Sequence, residues 1–292
     1  MTLLILTRSD ELGVDLLSDR LHGTFLRINI DKLEMVKLQF EPDRWDIFDG
    51  NAHLDSSEPS QCWMWKCGLD RDEADNFFLA EIEYTFREVY AWYQRRKLTR
   101  GNAPDYHKTK GKMYFLSEAS KFFHTPNSVI TLNSTLQLKH DLVAKSLASE
   151  PFSDGRVLYT SRIDSRDIDE SNLWFFQEFQ NSDLDITVYF AGSTFFSFAR
   201  ERRLGESIDW RQDISLDPYA KRWQPIELFK EHNRQIDKFR TELGIEWGRA
   251  DFLMSPKNDL IFLEYNANGQ FGFLDPEGKN GLLDAIAGYL EY

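Results

Sequence analysis

Three residues near the C-terminal end have the types and spacing for metal chemistry. Asp251 and Glu264 fall in two largely apolar runs, 249–254 and 260–265, joined by Ser255-Pro256-Lys257-Asn258-Asp259, a pattern that reads as a β-hairpin. Centring the turn between Lys257 and Asn258 sets Asp251 directly opposite Glu264. Like charges that face each other across an antiparallel pair destabilise it unless something offsets them; a divalent cation does so. Asn266 follows Glu264 by two residues and so shares its face. A set of oxygen ligands without Cys or His selects Mg²⁺ over zinc, and Mg²⁺ commonly shares its coordination with substrate phosphates, which points to a nucleotide. Two carboxylates on a hairpin are, taken alone, more often solvated surface. Here Phe252, Leu253, Ile261, Phe262 and Leu263 make both strands too apolar for a fully wet sheet. The following loop, Asn266 to Gly272, carries two glycines and allows a ligand close to its backbone.

Cations and an apolar strand could complete such a site. Lys145 lies inside the apolar run 142–147 and must find water or a counter-charge. Phosphate oxygens would serve; an edge-strand lysine that blocks aggregation is an equal reading. Lys112 closes a basic run with Lys108 and Lys110, a weaker signal. Trp174 to Phe179 ends in Gln177-Glu178, where backbone groups could read the edge of an adenine, with Asp185 accepting from a ribose hydroxyl. A core strand with a polar end is the stronger reading of that segment in isolation. Ser153-Asp154-Gly155 could form a flap over phosphates, on the weak signal of one glycine. Asp209-Trp210-Arg211 lies in a polar stretch downstream of Arg200, Arg202 and Arg203. A guanidinium fork suits an acyl phosphate or a carboxylate; Arg202 and Arg203 read as solvated charge.

The elements that must position these residues follow from periodicity. Leu3 to Leu6, a helix capped by Ser9 and ended by Gly23, and Thr24 to Ile28 make a β-α-β opening. Shorter strands are expected at Val36 to Phe40 and Cys62 to Trp65. Phe78, Ile82, Phe86, Val89 and Tyr93 mark a long amphipathic helix whose opposite face carries Glu81, Glu83, Glu88 and Arg95. Gly101 and Pro104 mark a lobe boundary. Short strands at 129–132, 142–146 and 157–160 follow a helix from Lys112. Ile186 to Phe190 and Thr194 to Phe198 form a hairpin around Gly192-Ser193. Pro225 stands near the start of a helix that Gly244 ends, and a last helix covers 282–290.

The chain has 292 residues and a net charge of −13, which argues against a nucleic-acid partner. No apolar run is long enough to span a bilayer. The opening MTLLILTRSD has no basic leader and reads as a first strand. Cys62 and Cys67 do not make a disulfide framework, so a cytoplasmic protein is expected.

The order of lysine strand, Gln-Glu hinge, Asp-Ile-x-Val strand, Asp-Trp-Arg and Asp…Glu-x-Asn resembles the ATP-grasp enzymes. More narrowly, Leu263-Glu264-Tyr265-Asn266-Ala267-Asn268-Gly269-Gln270-Phe271-Gly272-Phe273 is similar to the LEVNPxGQFGW motif of the graspetide, or microviridin-type, ligases that macrocyclise ribosomal peptides. Lys112 to Pro126, a weaker Cys62-Trp63 echo and the Thr-Arg-Ser-Asp opening also fit, so the resemblance covers most of the chain. It implies an α/β (α+β) ATP-grasp fold. A Rossmann-like lobe would span 1–105, a small central lobe 106–172, and an antiparallel C-terminal lobe with the Mg²⁺ and ATP site 173–292. It implies nucleotide contacts from Lys112, Lys145, Gln177, Glu178, Phe179 and Asp185. The metal ligands would be Asp251, Glu264 and Asn266, and Arg211 or Arg200 would steady an acyl phosphate. A precursor peptide with a leader segment is the implied partner, and a homodimer is allowed. Two positions depart from the pattern: Thr187 stands where the family has Arg, and Ala267 where it has Pro. The rival readings are a small-molecule ATP-grasp ligase and a non-catalytic nucleotide or peptide binder.

Overall fold

The opening apolar run forms β1 (Thr2–Thr7), buried from Leu3 onward because both faces of its sheet are covered. The computed structural model describes residues 1–69, 76–132, 141–147, 159–163, 173–202, 208–209, 211–212 and 223–292. After β1 come α1 (Leu12–Ser18) and β2 (Phe25–Asn29), which pairs parallel with β1 as the β-α-β reading requires. Ser9 does not cap α1. Its hydroxyl donates to Asp31 Oδ2 at 2.5 Å, and Glu11 holds the cap position. The helix stops at Ser18, well short of Gly23. Next, β3 (Lys37–Phe40), β4 (Trp45–Phe48) and β5 (His53–Asp55) form a separate antiparallel sheet, of which only β3 was legible beforehand.

The parallel sheet is completed by β6 (Ser60–Met64) and β7 (Thr99–Arg100), giving the order β2-β1-β6-β7. Between them runs α2 (Asn76–Arg95), whose Phe86, Val89 and Tyr93 pack with Leu4, Leu6 and Trp45 in one apolar cluster. Glu83, expected on its wet face, is buried and accepts from the backbone N–H of Leu69 at 2.8 Å. The other face of the sheet, through Leu3, Ile5 and Trp63, joins a second cluster with Trp247 and Phe271.

Then come α3 (Tyr106–Thr109), α4 (Lys112–Ala119) and a four-stranded sheet of β8 (Ser128–Thr131), β9 (Leu142–Lys145), β10 (Ser161–Ile163) and β11 (Trp174–Glu178). Its order, β10-β9-β11-β8, places β9 inside. Lys145 is therefore not an edge-strand lysine. The strand expected at 157–160 and the Ser153-Asp154-Gly155 flap lie partly or wholly outside the described residues.

The last sheet runs β14-β13-β12-β15-β16. The hairpin β12 (Leu184–Ala191) and β13 (Thr194–Glu201) turns at Gly192-Ser193 as expected. Pro225 lies in the short edge strand β14 (Gln224–Pro225), where its missing N–H costs nothing. The helix expected at Pro225 is α5 (Lys230–Leu243), which starts later, with Phe229 at its cap, and ends at Gly244 in a left-handed conformation. The final elements are β15 (Trp247–Met254), β16 (Leu260–Asn266) and α6 (Leu282–Glu291).

The β15–β16 register decides the site. Met254, Leu253 and Phe252 pair with Leu260, Ile261 and Phe262, which centres the turn on Lys257, half a residue earlier than expected. Continued unchanged, that register would set Leu263 opposite Asp251. A bulge between Asp251 and Phe252 absorbs Leu263, and from there Asp251 pairs with Glu264, Ala250 with Tyr265 and Arg249 with Asn266. The expected pairing of the two acids is thus correct, through a bulge that the turn geometry alone does not supply.

Gly248, at the start of β15, has φ +111°, and a Cβ there would lie 2.8 Å from the carbonyl oxygens of Asn266 and Ala267 and from the Tyr265 hydroxyl. Only glycine fits. Gly248→Ala should cost about 3 kcal/mol from strain and displaced backbone and lower Tm by roughly 5 °C or more. An unchanged thermal melt would show that the strands separate freely here.

Candidate active site

Asp251, Glu264 and Asn266 converge on one face. The Asn266 amide Nδ2 donates to Asp251 Oδ2 at 3.0 Å and to Glu264 Oε1 at 3.1 Å. Thr187 lies directly opposite Asp251 across β12–β15, and its hydroxyl donates to Asp251 Oδ1. Arg249 Nε lies 3.0 Å from the same oxygen, and its Nη2 donates to Asp251 Oδ2 at 3.0 Å. Lys112, the first residue of α4, pairs with Glu264 Oε2 at 2.9 Å and donates to the Ser146 carbonyl at 3.0 Å. α4 is held there by Phe115, whose ring packs 4.5 Å from that of Tyr265 on β16.

Burial opposes ionisation of Glu264, but the Lys112 and Lys145 charges outweigh it and hold the carboxyl well below the usual carboxylate range. Burial lowers the pKa of the Lys145 ammonium; Glu264 works against that effect and Lys112 adds to it. Lys145 donates to Gln177 Oε1 at 2.7 Å, and Gln177 in turn donates to Ser128 Oγ at 3.1 Å. The Gln177 side chain is therefore spent on aiming Lys145 across β9–β11. At the end of β11, the Glu178 N–H binds the Asn127 carbonyl and the Phe179 N–H binds the Asp141 carbonyl, both at 2.8 Å. The Arg162 guanidinium covers the Phe179 ring at 3.9 Å.

One cavity gathers these groups. Among the residues that line it are Lys112, Lys145, Gln177, Glu178, Phe179, Asp185, Arg211, Asp251, Glu264 and Asn266, so nearly every candidate from the sequence meets in one place. Arg200 is the exception. It is buried and absent from the lining, and its Nη1 lies 3.7 Å from Asp185 Oδ2, which makes it a support for Asp185. Burial raises the Asp185 carboxyl to about 6, against the pull of Arg202 and Arg200. Its Oδ2 is buried beside the Arg200 guanidinium. Arg211 is clamped by Asp209 through Nε at 2.8 Å and Nη2 at 2.5 Å, and Asp209 also accepts the Thr160 N–H at 3.0 Å. Trp210 and Arg203 lie outside the described residues.

Two arginines of the lining escaped the sequence reading. Arg202, taken as solvated charge, lies 3.4 Å from Asp185 Oδ1 and donates to the Ile208 carbonyl. Arg249 was read only as the start of a strand. Its position two residues before Asp251 puts both on one face, and that spacing was the available signal. With Thr187 where a guanidinium was expected, Arg249 supplies a positive charge two cross-strand pairs away, opposite Tyr189.

No protein-family model and no curated protein matches the sequence. Solved structures do. A RiPP-associated ATP-grasp ligase from Chryseobacterium gregarium, in complex with ADP and a leader and core peptide, superposes with a TM-score of 0.80 at 21% identity, over 99% of this chain and 96% of that one. The chain has the ATP-grasp fold. The macrocyclase MdnC of Microcystis aeruginosa MRC, bound with the precursor peptide MdnA, also gives 0.80, at 22% identity over 100% of this chain and 99% of that one. D-alanyl-alanine synthetase A from Vibrio cholerae gives 0.58 at 11% identity, over 100% and 97%.

In this ATP-grasp chain Glu264 is the anion on which both lysines depend. Because its folded pKa is depressed, its stabilisation is full above about pH 4.5 and is lost as pH falls below that. Glu264→Gln should therefore destabilise the protein by about 3 kcal/mol at pH 7, with the gap to wild type closing below about pH 4.5. Denaturant melts across pH in EDTA measure this. A gap that stays constant down to acid pH would contradict the assignment of charge.

Proposed function

We propose that this protein is an ATP-dependent carboxylate ligase. It would activate Asp or Glu side chains of a ribosomal precursor peptide as acyl phosphates and form intramolecular ester or amide crosslinks. The observation that carries the reading is the joint placement of Asp251, Glu264 and Asn266 against Lys112 and Lys145 in one cavity of an ATP-grasp fold. The two most similar solved structures named above are peptide-modifying ligases bound to their peptides, which supports the peptide as substrate class. The fainter likeness to D-alanyl-alanine synthetase keeps a small-molecule ligase as the second reading.

The residues fit the implied cofactor. The donor set is all oxygen, and the two carboxylates are held by hydroxyl, amide and cationic donors whose place a metal ion could take. Asp251, Glu264 and the Asn266 carbonyl would hold Mg²⁺, which when bound neutralises phosphate charge. Lys112 and Lys145 would bind phosphate oxygens, and Asp185 a ribose hydroxyl. The adenine would lie at Glu178 and Phe179. A peptide carboxylate oxygen attacks the γ-phosphorus as the bond to ADP breaks. A hydroxyl or amine of the same peptide then attacks the acyl carbon, phosphate leaves, and the nucleophile's proton passes to solvent. Arg211 and Arg249 would steady the acyl phosphate. The chain's contribution is position and charge. Such chemistry belongs where ATP is made available, and we assign the protein to the cytoplasm.

Incubation with a candidate precursor peptide, Mg²⁺ and ATP should remove one water per new bond by mass spectrometry, and Asp251→Asn should lower the rate at least about a hundredfold. An unmodified peptide with intact ATP binding would favour the small-molecule reading. Asp185 gives a second outcome. Its raised carboxyl is ionised above about pH 6 and protonated below, so nucleotide affinity should weaken up to about tenfold by pH 5. Asp185→Asn should bind weakly with no such pH dependence; a wild-type affinity flat from pH 5 to 7 would remove Asp185 from the ribose site.

A further inference from the structure

The parallel sheet of the first lobe reverses its strand order between β1 and β6, with β2 outside one and β7 outside the other. In open parallel sheets, ligands bind in the crevice beyond the carboxyl ends of the strands at such a reversal. The crevice here is bounded by residues 8–11 after β1 and 65–68 after β6. Arg8 bridges the two segments, donating to the Gly68 carbonyl at 2.8 Å and pairing with Asp10 at 3.0 Å.

Lys66 stands at the rim in a strained conformation. Its φ of 51° lies in the left-handed region, which residues with side chains rarely occupy and which clusters at ligand-binding sites. Its ammonium lies over the Trp65 ring at 5.5 Å, and no described residue forms an ion pair with it. Although the residue is exposed, crowding around the ammonium lowers its pKa; Glu11 opposes that effect and so favours the charged form, while Arg249 adds to it. The crevice is joined to the ATP-grasp site by short contacts. Gln270 Nε2 reaches Glu11 Oε2 at 3.5 Å, and Arg249 Nη1 reaches the Gln270 carbonyl at 3.3 Å while its other nitrogens hold Asp251.

We infer that this crevice seats the carboxylate to be activated, with the Lys66 ammonium receiving an acidic peptide side chain from the first lobe and Arg249 facing it from the last. A carboxylate held there lies between the strand ends and the nucleotide phosphates, where a nucleophile for phosphoryl transfer belongs. The inference rests on the nucleotide reading of the cavity, and it makes Lys66 a binding residue for the peptide and not for the nucleotide.

The test is an NMR titration of the full chain, in Mg·ADP, with the acidic peptide acetyl-Glu-Glu-Glu-amide. Lys66→Gly relieves the backbone strain and so should fold at least as well as wild type. Wild type should bind. Lys66→Gly should weaken binding at least about tenfold, and Lys66→Arg, which keeps the charge, by less than about threefold. The rise in Tm caused by Mg·ADP should be the same in all three. Equal affinity in wild type and Lys66→Gly, or no binding to wild type, overturns the assignment of the crevice. Absence of the Mg·ADP rise in wild type would instead overturn the nucleotide reading, and this inference with it.

Discussion

Two carboxylates set face to face across a β-ladder are the constraint to which the rest of the site answers. Asp251 and Glu264 would repel each other if left alone. Each is satisfied by separate donors: Thr187 and Arg249 at Asp251, Lys112 at Glu264, and the Asn266 amide between them. These donors come from four different elements, so the charge pair draws the antiparallel sheet and α4 together. Lys145, aimed by Gln177, brings the central sheet to the same point.

The geometry is maintained by backbone devices that carry no chemistry themselves. The bulge at Leu263 brings the two acids level, and Gly248 allows the 265–267 backbone to approach closely enough for Asn266 to lie over both. Asn102, just past the parallel sheet, donates to the carbonyls of Trp247 and Ala267 and so ties the first lobe to the same loop. The rings of Trp63, Trp65, Trp247 and Phe271 fill the space behind it. A dense apolar contact between lobes of this kind gives the polar cavity a stiff backing.

Much of this was legible in the sequence because the decisive residues obey simple periodicities. Strand alternation placed Glu264 with Asn266, and the apolar runs gave β1, β2, β12, β13, β15 and β16. What escaped had physical reasons. A bulge leaves no compositional mark, so the Asp251–Glu264 pairing was reached from a turn centre half a residue off. β4 and β5 are short, and Trp45 and Ile47 alone carry the inward face of β4. Arg202 and Arg249 look like surface charge until their partners Asp185 and Asp251 are seen beside them. Lys145 was ambiguous between edge and interior because strand order is a property of the sheet and not of the strand. Gln177, read beside the adenine, lines the cavity and also holds Lys145 through its side chain, a contact between strands that spacing along one strand does not reveal.

The central claim is that a peptide carboxylate becomes phosphorylated in the cavity closed by Asp251, Glu264, Lys112 and Lys145. It is tested most directly by incubating the protein with Mg²⁺, ATP and a candidate precursor peptide whose acidic side chains carry ¹⁸O, and analysing the released phosphate by mass spectrometry. Activation as an acyl phosphate predicts one ¹⁸O in the phosphate for each bond formed. Crosslinked peptide accompanied by unlabelled phosphate would contradict the account.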